Sequence, residues 1–211
     1  MRQIQPDLWE TEPEFPAPGL KTHAYLWVRP DGNVLLYNTT LESELDEIER
    51  LGGVRHHYLS HQDEIASSLR TIRDRFGSTL HIHASEGHLL DEVVPEHETF
   101  SDRHVIDGEF EIIPTPGHTP GSTCFIVHGA GGQYLFTGDT LIRGSNGHWF
   151  TAYFDGFSDY DALVNTLEML STLSPDIIIS SAFSGDSGVT VLGDDLWPLC
   201  VNEALDGLRR S

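Results

Sequence analysis

Residues 114–122 read PTPGHTPGS, and the fold turns on how this stretch is understood. A single histidine, His118, sits between two Pro-Gly steps, Pro116-Gly117 and Pro120-Gly121, which preset the backbone on both sides of it. A ring held in that way points at one fixed place, as a metal ligand must. The plainer alternative is a tight turn with an incidental, exposed histidine. The flanking runs FEII (110–113) and TCFIV (123–127) are apolar, so the loop joins two strands. One hairpin later, LFTGDTL (135–141) is an apolar strand ending in Gly138 and Asp139. A carboxylate at a strand end is aimed by a rigid element and suits ligation or catalysis. Upstream, HYLSHQDEIASS (57–68) ends a strand in Ser60-His61 and passes through Asp63 and Glu64 into a helical pattern.

Taken in order, these three stretches resemble the metallo-β-lactamase superfamily. Its glyoxalase II-like branch carries T-H-x-H-x-D-H, then P-G-H-T-P-G, then G-D-T, and a late G-H. A subgroup has a first loop of the form T-H-R-D-D-V-x-D-H after a Gly-Gly-Val stretch. The segment LGGVRHHYLSHQDEIASS (51–68) is similar to that form, and GNVLLYN (32–38) to the strand before it. The likeness runs from the opening hairpins to the strand DIIIS (176–180). It implies an α/β fold in which two mixed sheets pack face to face with helices outside, a four-layer αββα sandwich, as one domain over residues 1–211.

Carried over residue by residue, the resemblance implies a metal set of His61, Asp63, His118 and Asp139. Asp63 stands for the second loop histidine or for the subgroup's first acid, and a carboxylate oxygen is an acceptable zinc ligand. Ser67 and Ser68 occupy the places of the subgroup's Asp-His pair, Asn38 that of the usual Asp after the second strand, and Ala182 lies where the late histidine would fall. One metal position therefore keeps its donors, the other keeps only Asp139, and a two-metal clamp is not expected. The expected cofactor is one divalent metal ion, zinc first, with iron or manganese as alternatives.

The leading expectation is a mononuclear metal-dependent hydrolase of a small ester or thioester, in which the metal activates water and polarises the carbonyl. Asp63 and Asp139 are the catalytic candidates: one completes the ligand set and the other orients the water. A second reading follows from His61, His118 and Asp139, which resemble the iron ligands of persulfide dioxygenases in the same superfamily. The third is a member that holds no metal and binds a ligand or partner in the cleft. Glu64 is either a base for the water or a first-turn acid that favours the helix dipole. His83 could reach the site from a strand end, and His56, His57, His88, His97, His104, His128 and His148 are expected as surface histidines. Phosphate loops, Cys-x-x-Cys pairs and nucleophile elbows are absent from the sequence.

The remaining elements follow from periodicity. THAYLWV and NVLLYN read as strands joined by RPDG, EPEFPAPGL as a proline-rich loop, and STLHIH as a short strand. Helical spacing predicts LESELDEIERLGG, DEIASSLRTIRDRFG (63–77), DYDALVNTLEMLSTL and a closing helix over DDLWPLCVNEALDGLRR. Trp149, Phe150, Tyr153, Phe154 and Phe157 either line the substrate or pack the core, and they leave room for a homodimer face.

Composition bounds the partners. Thirty-three acids oppose 12 basic residues, a net charge of −21, and Lys21 is the only lysine. Such a surface excludes a nucleic-acid backbone binder and leaves a small-molecule substrate as the expected partner. Its self-repulsion is relieved by salt, as in the cytoplasm of a high-salt organism. No run approaches the roughly 18–20 apolar residues of a membrane span, and MRQIQPDLWETEPEF has no apolar signal core. Cys124 and Cys200 are too few for a disulfide framework and read as small buried hydrophobes.

Overall fold

In the computed structural model, which describes residues 1–193 and 196–210, the chain opens with three hairpins. These are β1 (Arg2–Gln5) with β2 (Leu8–Glu10), β3 (Glu14–Ala17) with β4 (Leu20–Thr22), and β5 (Tyr25–Trp27) with β6 (Val34–Leu36). Helices then carry the chain back between parallel strands, as parallel pairing requires: α1 (Glu42–Arg50), β7 (His56–Tyr58), α2 (Ser68–Phe76), β8 (Thr79–His83) and β9 (Glu98–Phe100). The first sheet has the order β1-β2-β5-β6-β7-β8-β9. An antiparallel meander builds the second: β10 (His104–Ile106), β11 (Phe110–Pro114), β12 (Thr123–Gly129) and β13 (Gly132–Gly138). A ribbon of β14 (Ile142–Arg143) and β15 (Trp149–Phe150) precedes α3 (Tyr160–Leu170), after which β16 (Ile177–Ser180) lies parallel to β13. β17 (Ala182–Phe183) crosses to pair with β4, β18 (Val189–Val191) forms the sheet edge, and α4 (Trp197–Leu208) follows.

Alternation along the strands builds the layers. On β12, Phe125 and Val127 face the first sheet and join Tyr25, Tyr58, Phe110 and Phe136 in the core between the sheets. Their neighbours Cys124 and Ile126 face outward to Leu163 and Leu167 of α3 and Val201 and Ala204 of α4. β6 divides likewise, Val34 and Leu36 inward and Leu35 outward against Leu45 and Ile48 of α1 and Ile72 of α2. Each fully buried leucine or isoleucine in these layers contributes about 1.5–3 kcal/mol. The result is helices, sheet, sheet, helices, the expected αββα order. Both cysteines are buried and unbridged, and burial pushes the Cys124 thiol up to about 12. No described helix is long and apolar enough to cross a membrane.

Two expectations are corrected, and one pair of strands was not foreseen. EPEFPAPGL is not a loop but the β3–β4 hairpin, held because the Glu14 carboxylate accepts hydrogen bonds from Thr39 Oγ1 (2.7 Å) and Thr40 N (2.9 Å) and because β17 adds to its edge. MRQIQ and LWE, not expected as regular structure, are β1 and β2. The helix expected from residue 63 starts at Ser68; Gln62–Glu64 is a single 3₁₀ turn, and Ile65 is extended (φ −72°, ψ 117°), with Glu64 O taken by Asn38 Nδ2 (2.9 Å). Asp194 and Asp195, the first residues of the expected closing helix, lie outside the described residues.

Candidate metal centre

The loops that follow β6, β7 and β13 meet the β3–β4 hairpin and the start of β17 around a cleft of about 650 Å³. In mixed sheets the carboxyl ends of parallel strands are where such clefts form. The His118 loop is fixed from several sides. Gly117 has φ +143°, and a Cβ there would lie 2.6 Å from Leu163 Cα, so only glycine lets the loop sit on α3. Thr166 Oγ1 of α3 donates to Pro116 O (2.8 Å), Asp159 N to Gly117 O (2.8 Å) and Ser158 Oγ to His118 O (3.0 Å). Gly138, at φ +53°, is packed as closely: a Cβ would lie 2.6 Å from Ser60 Oγ. These two contacts are the physical content of the Pro-Gly-His and Gly-Asp motifs.

The structure brings the four sequence-predicted residues together. His61 Nε2 lies 3.8 Å from Asp63 Oδ2 and 3.6 Å from Asp139 Oδ2. His118 Nε2 lies 3.6 Å and 3.8 Å from the same two atoms, and the imidazole centroids are 5.0 Å apart. His118 Nδ1–H donates to Ala152 O (2.8 Å), which leaves the lone pair on Nε2; that atom is buried and has no hydrogen-bond partner. His61 Nδ1 contacts Ser60 Oγ (2.9 Å), whose hydroxyl donates to Glu64 Oε1 (2.5 Å), so its Nε2 also faces the carboxylates. The N···O separations slightly exceed the edge of about 3.3 Å of a tetrahedron with metal–ligand distances of about 2.0–2.1 Å. Among the described residues, His61, Asp63 and His118 offer ligand atoms that all lie within 4.8 Å of one another and could hold a metal ion, with Asp139 beside that group.

Charge is arranged to the same end. Burial alone would push His61 down, but Asp139, Glu64 and Asp63 outweigh it and raise its pKa to about 9. Asp63 is held below its ordinary value, chiefly by His118. A place that retains a proton so firmly is one that favours positive charge.

The adjoining half of the cleft is closed upon itself. Asn38 Nδ2 donates to Ser68 Oγ (3.0 Å) as well as to Glu64 O, and Ser68 Oγ lies 3.2 Å from Asn38 Oδ1. Ser181 Oγ donates to Asp139 Oδ1 (2.5 Å), satisfying the carboxylate oxygen that faces away from the histidines. Ser67 is exposed, and Ala182 offers no donor atom. The Glu64 carboxylate turns back to Ser60 N (2.9 Å) and Ser60 Oγ and lies 3.4 Å from His61 Nδ1, where it orients the ring. His83 stays outside the cluster, bonded to Ser85 (2.8 Å) and edge-on to Phe100. His57 is no surface histidine: it is 1% exposed, and its Nε2–H donates to Tyr37 O (2.7 Å). Trp149 packs in the core against Trp197, whereas Phe154 and Phe157 are exposed and approach the His118 ring at 5.9 and 6.1 Å. Sequence reasoning missed Ser181 and the orienting role of Ser60; the Ser-His step was the only signal for the latter.

The chain is 38% identical over 92 residues to the hydroxyacylglutathione hydrolase GloC of Haemophilus influenzae, a match covering 43% of this chain and 39% of that protein. The chain thus spans well under half the length of that curated relative. A metallo-beta-lactamase from Pontibacter korlensis superposes with a TM-score of 0.71 at 14% identity, over 99% of this chain and 98% of the other. TTHA1623 in a di-iron-bound form superposes with a TM-score of 0.63 at 22% identity, over 87% and 96%. Residues 45–182, well over half of the sequence, match the family model of the metallo-beta-lactamase superfamily, and the chain belongs to that superfamily.

Proposed function

We propose that the protein is a mononuclear metal-dependent hydrolase of small esters or thioesters, with His61, Asp63, His118 and Asp139 as the ligand set. The buried, unpartnered Nε2 of His118 carries this reading, because a polar atom left without a hydrogen bond among two carboxylates and a second imidazole implies a cation between them. A hydroxyacylglutathione is itself a thioester, so the similarity to the Haemophilus protein supports the reaction class. The divalent cation would supply Lewis-acid polarisation of the carbonyl and activation of water.

The chain's own groups divide the rest of the work. His61 and His118 present Nε2 because Ser60 and Ala152 O occupy their Nδ1 atoms. Asp139 is tied at Oδ1 by Ser181, so it serves as a fixed ligand. Asp63, whose side chain is 52% exposed, would ligate through Oδ2, the atom that faces both imidazoles, and keep Oδ1 to orient an attacking water. A single ion is proposed because Asn38, Ser68 and Ser181 satisfy one another and Asp139 where a second would sit.

Metal analysis after purification in high salt is the decisive experiment, followed by titration of the stripped protein with zinc, manganese and ferrous iron. One ion per chain together with thioester hydrolysis supports the proposal. Two ions per chain would overturn the mononuclear assignment, iron with oxygen uptake on a persulfide would replace hydrolysis by oxygenation, and failure to bind any ion would leave a cleft without metal chemistry.

A further inference from the structure

We infer that the cleft selects uncharged, apolar acyl thioesters or esters and discriminates against glutathione conjugates, because among the described residues its walls carry four carboxylates and no ammonium or guanidinium group. This inference rests on the hydrolase reading for its reaction, but not for its binding preference. The charged lining residues, besides His23 and His61, are Glu14, Asp63, Glu64 and Asp139. A bound divalent cation cancels only two of those four charges. The single lysine, Lys21, is turned to Gly185 O (3.0 Å) and the Phe183 ring instead. His23 stacks on Phe183, with centroids 5.1 Å apart.

A glutathione moiety brings two carboxylates and one ammonium, and each carboxylate must exchange water for cations or free donors. Several neutral donors on these walls are already committed, Tyr37 to Ile179 O and Ser181 to Asp139 among them. Thr40 gives its N–H and hydroxyl to Glu14, and Asn38 gives its amide to Glu64 O and Ser68. Apart from Thr22, Tyr37 and Ser181, the rest of the lining is apolar, with Phe15 (69% exposed), Pro16, Leu20, Leu41 and Ala182. This surface suits a hydrocarbon acyl chain or a neutral leaving group.

The test compares two non-hydrolysable thioethers that share one alkyl chain, S-hexylglutathione and S-hexyl-N-acetylcysteamine. Binding is measured by calorimetry on stripped and metal-loaded protein, from the lowest salt at which circular dichroism shows the fold intact up to 2 M KCl. The neutral thioether is expected to bind at least about tenfold tighter at low salt, with the gap narrowing as salt screens the carboxylates. Leu20→Arg, or Ala66→Arg should the first variant not fold, is expected to close most of that gap. Equal or tighter binding of the glutathione thioether, a gap indifferent to both salt and arginine, or no binding of either thioether would overturn the inference. Hydrolysis of the matching hexanoyl thioesters is read in parallel. If neither is cleaved while the neutral thioether still binds tighter, the hydrolase reading falls and the selectivity stands.

Discussion

Two pairs of buried histidines show what surroundings do to one side chain. His57 and His81 lie in the first sheet among backbone and aromatic groups: His57 donates to Tyr37 O, and His81 stacks on Tyr58 with centroids 4.2 Å apart and contacts His56 Nδ1 at 3.0 Å. Burial drives their pKa values down to about 4 and about 3. Glu98 Oε2 lies 3.6 Å from His81 Nδ1, but it is 70% exposed and well solvated, and it does not reverse the direction. His61 and His118 are as deeply buried, yet they face two carboxylates with Nε2 turned inward, and His61 rises to about 9. Burial among backbone and aromatic groups yields a neutral structural histidine, whereas burial facing two carboxylates yields a place for a cation. Position in the sequence does not separate the two, since His57 and His61 are four residues apart.

The largest effect should come from breaking the pair that faces the carboxylates. His118→Ala removes the unpartnered Nε2 and is expected to weaken metal binding by more than about 100-fold, the upper end of what loss of a supporting group costs. His97→Ala should leave it unchanged, because that ring is engaged with Val94 O (2.9 Å) outside the cluster. Equal loss in both variants, measured as bound metal per chain, would mean that the ion sits elsewhere.

The neutral pair is broken by acid. The folded pKa of His57, about 4, lies below its ordinary 6.5, so between those values the unfolded chain binds a proton that the folded chain does not. Stability from this residue is complete above about pH 6.5 and is lost as pH falls through about 4, up to about 3 kcal/mol. His81 extends the same loss toward pH 3, and His81→Phe, which keeps the ring stacked on Tyr58, should flatten that part of the curve. Urea unfolding across pH 3.5–7 in high salt measures it, with surface self-repulsion screened. An unchanged slope in the variant would show that His81 is already protonated in the fold.

How much of this was legible depends on the range of the interaction that fixes each feature. The apolar run TCFIV (123–127) is local, and it announced a strand, which the fold then buries on both faces. The Pro-Gly frame of His118 and the Gly-Asp turn were legible because they state backbone requirements. The β3–β4 hairpin was not: Pro13, Pro16 and Pro18 disguise it, and its support comes from Thr39, Thr40 and β17, far along the chain. Ser181 escaped notice because a serine becomes a partner of Asp139 only once β13 and β16 lie side by side. The helix expected from residue 63 lost its first turn to the same cause, since its apolar spacing could not reveal that Asn38 would claim Glu64 O.

Two smaller effects probe the pair that faces the carboxylates by loosening its frame. Gly117→Ala sets a methyl against the Leu163 backbone and should cost about 1–3 kcal/mol through overpacking. Because strain there moves the loop, metal affinity should fall along with stability. Thr166→Val keeps shape and volume and removes only the hydrogen bond to Pro116 O. Its expected cost is about 1 kcal/mol, somewhat more if the carbonyl is left dry. Metal affinity should change less than about tenfold, because Gly117 O, His118 O and Ala152 O still anchor the loop and its ring. A Thr166→Val variant that kept its stability but lost its metal would show that α3 aims the imidazole rather than merely supporting it, and the fixed frame inferred from the Pro-Gly steps would have to be abandoned.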